Sequence, residues 1–159
     1  MAGDTPPKIF YGRIVPTIIR PDGYELSTDP ARIDLDLVHR WLSTDAYWAI
    51  GRSRETVAKA ILGSRVFGVF RPADAAQVAF ARLVTDSATF AWLCDVYVAP
   101  DERGNGLGTW LVSAAYDEMS QCGVRRILLA TADAHGLYAK AGFTPLAKPT
   151  QWMELDTRT

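Results

Sequence analysis

The sequence predicts an α/β (α+β) fold built on a sheet that helices cover on both faces. Segments 65–71, 77–84 and 89–98 are near-continuous apolar runs of strand length, the pattern of strands buried on both sides. Val96-Tyr97-Val98 then passes through a glycine-rich turn into an amphipathic helix, so strand and helix periods alternate along the chain. A length of 159 residues suits one domain.

Residues 1–23 read as an N-terminal extension, rich in Pro and Gly around Ile14-Val15-Pro16-Thr17-Ile18-Ile19 and able to add an edge strand or pack as an arm; 24–159 read as a single domain. Tyr24 to Thr28 is the first core strand. Asp34 can cap a helix running to about Leu42, with Leu35, Val38 and Leu42 on one face. A polar and aromatic connector follows, and a second helix begins near Ser53, with Val57, Ile61 and Leu62 as its apolar stripe. After the three strands comes the turn, then a helix in which Leu107, Leu111, Ala115 and Met119 recur every four residues. Gly123 is placed to take its left-handed cap. A strand over Arg126–Ala130, a helix over Asp133–Ala141 capped by Asp133, and a final strand over Gln151–Leu155 complete the reading.

Composition narrows the function. A net charge of −1 offers no bulk electrostatic case for nucleic acid or a membrane surface. No apolar run approaches the roughly 20 residues of a membrane span, and Met1 to Pro7 lacks the basic and apolar regions of a signal peptide. Cys94 and Cys122, the only cysteines, have no CxxC spacing and read as reduced thiols of a cytoplasmic protein. Two histidines far apart, His39 and His135, argue against a metal site.

The turn Arg103-Gly104-Asn105-Gly106-Leu107-Gly108 holds the chemistry. Glycines at a helix start sacrifice backbone entropy, and the usual return is close approach of N–H groups to an anion. The first amides of a helix lack internal partners and the helix dipole favours negative charge there. With Arg103 beside it, the turn reads as a pyrophosphate cradle. No Lys-Ser/Thr follows as a P-loop would need, and Thr109 stands where a dinucleotide fingerprint has its third glycine.

Arg103-x-x-Gly106-x-Gly108 after a strand ending in Val resembles the acetyl-CoA loop of the Gcn5-related N-acetyltransferases (GNAT). Leu137-Tyr138-Ala139-Lys140-Ala141-Gly142-Phe143 is similar to a second block of that family, and the resemblance covers roughly Tyr24 to Leu155. It implies a GNAT fold, with a central mixed sheet of six to seven strands flanked by about four helices, and transfer of an acetyl group from acetyl-CoA to a primary amine of a small molecule or peptide by direct attack in a ternary complex. The alternative is a non-catalytic acyl-CoA-binding module. The resemblance places Val96, Tyr97 and Val98 beside the thioester and Arg103, Gly104, Asn105, Gly106, Leu107, Gly108 and Thr109 around the diphosphate. Thr131 takes a position that usually touches cofactor, and Tyr138 the position of the proton donor to the leaving thiolate. It also allows a homodimer.

Acceptor contacts are assigned to Trp48, Arg52 and Trp92, aromatic walls and positive charge that suit a small carboxylated amine. His135 joins them because it lies three residues before Tyr138 on the same helical face. Asp95, in the middle of a buried strand, reads as a structural carboxylate bonded to backbone or to an arginine such as Arg82, ahead of a role as base. The polyamine-acetylating members carry Glu-Asp here; this chain has Cys94-Asp95, so that base does not carry over.

Overall fold

The computed structural model describes residues 17–158. Six strands form one sheet in sequence order: β1 (Ile18–Ile19), β2 (Glu25–Ser27), β3 (Arg65–Phe70), β4 (Gln77–Thr85), β5 (Ala91–Val98) and β6 (Ile127–Leu128). All neighbours are antiparallel except β5 and β6, which run parallel. The sheet is therefore mixed, as expected. Four helices join it: α1 (Leu35–Thr44), α2 (Arg54–Leu62), α3 (Leu107–Gln121) and α4 (His135–Lys140).

Local chemistry sets the helix ends. Asp34 caps α1 by accepting from the Leu37 amide, and Ser53 caps α2 by accepting from the Thr56 amide. At the end of α3, Gly123 takes φ +79° and the Val124 amide reaches back to the Met119 carbonyl, a Schellman-type close. Val38, Leu42 and Val57 of α1 and α2 pack with Val66, Phe80 and Tyr97 on one sheet face. Leu107, Leu111, Ala115 and Met119 of α3 pack with Phe67, Val69, Ala81, Leu83 and Leu93 on the other. Each large apolar side chain fully buried this way contributes about 1.5–3 kcal/mol.

Ile18–Ile19 pairs with Leu26 and Glu25 as an edge strand, while Ile14 to Pro16 lie outside the described residues. The strand expected over Thr89–Val98 starts at Ala91, because Asp86 accepts from the amides of Ala88, Thr89 and Phe90 and holds those residues in a turn. Two further expectations fail. Asp133 does not cap α4: Ala134 is the N-cap, no side chain caps the helix, and the Thr131 hydroxyl accepts from the amide of Ala134 itself at 3.0 Å. The final strand over Gln151–Leu155 does not form: residues 149–151 make a 3-10 turn and 152–158 have no regular structure. Only two residues of β6 pair with β5, too short an edge to template another strand. The Trp152 ring instead lies 4.7 Å from the Arg126 guanidinium.

Candidate active site

One irregularity in the sheet shapes the site. Between β4 and β5 the register runs Phe80↔Tyr97 and then Arg82↔Cys94, so β5 carries an extra residue opposite Ala81. Asp95 sits at that bulge with φ +52°. The bulge bends β5, and no β6 residue pairs with β5 beyond Trp92↔Leu128. The last part of β5, Val96 to Val98, is left facing a cleft.

That cleft, about 560 Å³, is lined by Val96, Tyr97 and Val98 on one side and by Arg103, Gly104, Gly106, Leu107, Gly108 and Thr109 at its end. Gly104 and Gly106 adopt φ +85° and +73°, conformations that cost L side chains energy. A Cβ on Gly108 would come within 2.9 Å of Leu137 Cδ1, so α3 and α4 approach closely there. Gly106 is the N-cap of α3 and no side chain caps that end. Among the described residues, the first amides of this 15-residue helix thus have no side-chain acceptor where they meet the cleft. Arg103 and Lys140 line the same cleft. Arg103 also donates from Nε to the Val98 carbonyl at 3.0 Å, tying the turn to the end of β5. These features fit a diphosphate.

Sequence reasoning missed Arg20. Its Nη1 donates to the Asn105 carbonyl at 3.0 Å, and its guanidinium lies 5.3 Å from the Trp110 ring. Arg20 thereby pins the glycine turn from outside. A contact spanning 85 residues leaves no local signal.

A second cavity, about 400 Å³, adjoins the cleft and is lined by Trp48, Arg52, Arg82, Trp92, Cys94 and Asp95. Six residues border both spaces: Tyr47, Trp48, Val96, Asp133, Ala134 and Tyr138. At its floor the buried Asp95 carboxylate accepts from Trp48 Nε1 at 3.0 Å, Arg52 Nη1 at 2.8 Å and Arg82 Nε at 2.6 Å. The bond to Arg82 anticipated from the sequence is present.

Tyr138 sits at the junction, half-buried, its ring edge-on to Phe143. Burial, with Tyr47, Asp133 and Cys94 nearby, pushes its phenol up to about 12. Burial likewise pushes the Cys94 thiol up to about 11. Thr131 borders the second cavity rather than the glycine cleft. His135 is exposed and lines neither space. A further cavity, about 610 Å³, lies between the end of α3 and the turn after α4, bounded by Tyr116, Ile127 and Phe143, and Tyr138 does not border it.

Known proteins similar in sequence and fold define the class. The acetyltransferase (GNAT) family matches residues 35–143. A crystal structure of a candidate GNAT acetyltransferase from Xanthomonas campestris pv. campestris is 46% identical, with a TM-score of 0.79, covering 84% of this chain and 93% of that one. A Gibberella zeae protein described as a candidate acetyltransferase is 30% identical over 135 residues, 74% of this chain and 76% of that protein. Rv2747 of Mycobacterium tuberculosis, solved with CoA, shares the fold at a TM-score of 0.62 and 19% identity, over 75% of this chain and 70% of that one. The chain belongs to the GNAT acetyltransferase family. It is an acyltransferase that uses an acyl-CoA. Among the described residues no helix is long and apolar enough to cross a membrane.

Proposed function

We propose that the protein transfers the acetyl group of acetyl-CoA to a primary amine of a small molecule, by direct attack in a ternary complex. The observation that carries this reading is the position of Tyr138, at the junction of the glycine cleft and the second cavity. When bound, acetyl-CoA would supply a thioester carbonyl carbon for the neutral amine nitrogen to attack; the N–C bond would form, the C–S bond would break, and the proton lost by nitrogen would end on the departing thiol. The amides of Leu107, Gly108 and Thr109, with Arg103 and Lys140, hold the diphosphate. The free edge of β5 from Val96 to Val98 receives the pantetheine amides and presents backbone N–H toward the carbonyl oxygen. Tyr138 Oη donates to the departing sulfur. Trp48 and the cavity beyond it receive the acceptor.

Cys94 bears on whether the acyl group visits the enzyme. With its thiol near 11, only about one molecule in 10⁴ carries the thiolate at pH 7, which supports direct attack over an acyl-cysteine route. Cys94→Ala is expected to retain kcat within about threefold, followed by thiol release from acetyl-CoA. A loss beyond a hundredfold would favour the covalent route.

Arg20→Ala removes the contact that holds the Asn105 carbonyl. The dissociation constant for coenzyme A, measured by calorimetry, is expected to rise about tenfold, close to 1.4 kcal/mol. The reading as a whole is tested by an amine panel with thiol release from acetyl-CoA as the readout. Coenzyme A binding with no turnover on any amine would replace the enzymatic reading of this site with a binding one.

A further inference from the structure

We infer that the acceptor is zwitterionic, an amino acid or other small amino-carboxylate, with its carboxylate on Arg52 and its amine beside Asp133. This rests on the amine-acetylating reading above and adds the acceptor's class. The cavity floor carries surplus positive charge. Two guanidiniums, Arg52 and Arg82, share the single carboxylate of Asp95. Their side chains are only 22% and 15% exposed, so one unit of positive charge remains in a poorly solvated place. No other carboxylate lies within ion-pair distance of either guanidinium among the described residues.

The donors point to where an anion goes. Arg52 uses Nη1 on Asp95, which leaves Nε and Nη2 without a partner among the described residues. Arg82 uses Nε on Asp95 and Nη1 on the Ser64 hydroxyl. A guanidinium with two adjacent free N–H groups takes a carboxylate in a fork. One surplus positive charge matches a monoanion, whereas a phosphate monoester, at nearly two negative charges, would leave the floor negative. Trp48 is fixed by the same carboxylate, so its indole forms a wall beside that point.

The rim has the opposite sign. Asp133 borders both spaces, with the Tyr47 hydroxyl 3.4 Å from its Oδ1. Glu154 and Arg158 also border the cavity, and Arg158 is paired with Asp156. The acids left over, Asp133 and Glu154, attract an ammonium. Asp133 and Tyr138 stand together at the passage into the cleft, where the attacking nitrogen has to be. A molecule with a carboxylate at one end and an amine at the other satisfies both ends at once.

The test uses L-amino acids, each with its carboxamide and its decarboxylated amine, plus phosphoethanolamine as a phosphate-bearing amine. Binding to the coenzyme A-saturated full chain is measured by calorimetry, independently of turnover, and thiol release is measured in parallel. Some amino acids are expected to bind at least about a hundredfold more tightly than their carboxamides, the value of a charge-assisted fork. Arg52→Gln is expected to reduce that preference to a few-fold while leaving coenzyme A affinity unchanged. Equal or tighter binding of the carboxamides, the decarboxylated amines or phosphoethanolamine overturns the inference, and the comparison needs only the unaltered chain. Absence of turnover with the amino-acid preference intact counts against acetyl transfer and leaves the carboxylate site standing.

Discussion

Tyr138→Phe is expected to lower kcat by about 10²–10³-fold and to leave the dissociation constant for coenzyme A within about threefold. The substitution removes one oxygen and keeps the ring, so the edge-on packing against Phe143, at 6.0 Å between centroids, survives. What disappears is a proton held at the passage between the two spaces. A phenol pushed up to about 12 stays protonated through any practical assay range. It also gives up that proton reluctantly: a thiol ordinarily titrates near 8.5, so full transfer from Tyr138 is uphill by roughly 3.5 pH units. On the proposed reading, Tyr138 acts first as a hydrogen-bond donor to developing charge on sulfur, and the proton lost by the amine restores the balance. The sign of the pH dependence follows. Ionisation of Tyr138 removes the donor only as pH approaches 12, so the kcat profile should have no falling limb from this group below about pH 10. A falling limb centred at pH 8–9 that vanished in Tyr138→Phe would contradict the burial of the phenol. Unchanged kcat in the variant would remove Tyr138 from the mechanism.

The parts of this molecule legible in its sequence are those governed by neighbours a few residues apart. Asp34 before Leu35, the four-residue recurrence of Leu107, Leu111, Ala115 and Met119, and Gly123 after Cys122 are local statements, and the helices begin and end where they indicate. The glycine turn belongs with them, since a strand, three glycines and an amphipathic helix occur within one short stretch. The features the sequence hid depend on pairing across the fold. The bulge at Asp95 exists only relative to β4, because it is a count of two residues against one. Arg20 meets Asn105, and Tyr47 meets the Ala132 amide, across 85 residues each. Asp133 is the cap the sequence suggests for α4, but the helix begins at His135 with Ala134 as its N-cap, a two-residue difference in helix start within the usual uncertainty of such boundaries. Trp152-Met153-Glu154-Leu155 has the apolar content of a strand, yet Met153 and Leu155 stand 98% and 92% exposed. Pattern alone could not reveal that the neighbouring edge is two residues long. His135 shares a short helix with Tyr138, but the α4 surface bordering the cleft carries Leu137, Tyr138 and Lys140.

Asp95→Ala is expected to lower the unfolding free energy by about 3–5 kcal/mol, the largest stability effect anticipated for a residue of the site. Two separable losses add to that figure. The first is electrostatic: Arg52 and Arg82 lose their common anion and Trp48 loses its acceptor, which leaves two mostly buried guanidiniums facing each other. Their residual exposure, 22% and 15%, lets water recover part of the cost and places this share near the lower end of the range. The second is conformational. At φ +52° an Asp or Asn is tolerated far better than Ala, a difference of about 1 kcal/mol. Asp95→Asn keeps the tolerant backbone and an acceptor for Trp48 while deleting the charge, so it should fall between the natural chain and Asp95→Ala. Asp95→Gly should relieve the backbone share and leave only the electrostatic one. Denaturant midpoints for the three variants, at unchanged m-value, measure this order. A loss below about 1 kcal/mol in Asp95→Ala would mean that the guanidiniums are already well solvated, and the surplus charge at the cavity floor would lose its force. Because the bulge and the arginine pair meet at one residue, the same variants connect stability to specificity. Releasing Arg52 should weaken acceptor binding in all three, while coenzyme A, which on the proposed reading sits against the glycine turn at the far end of β5, should bind as before.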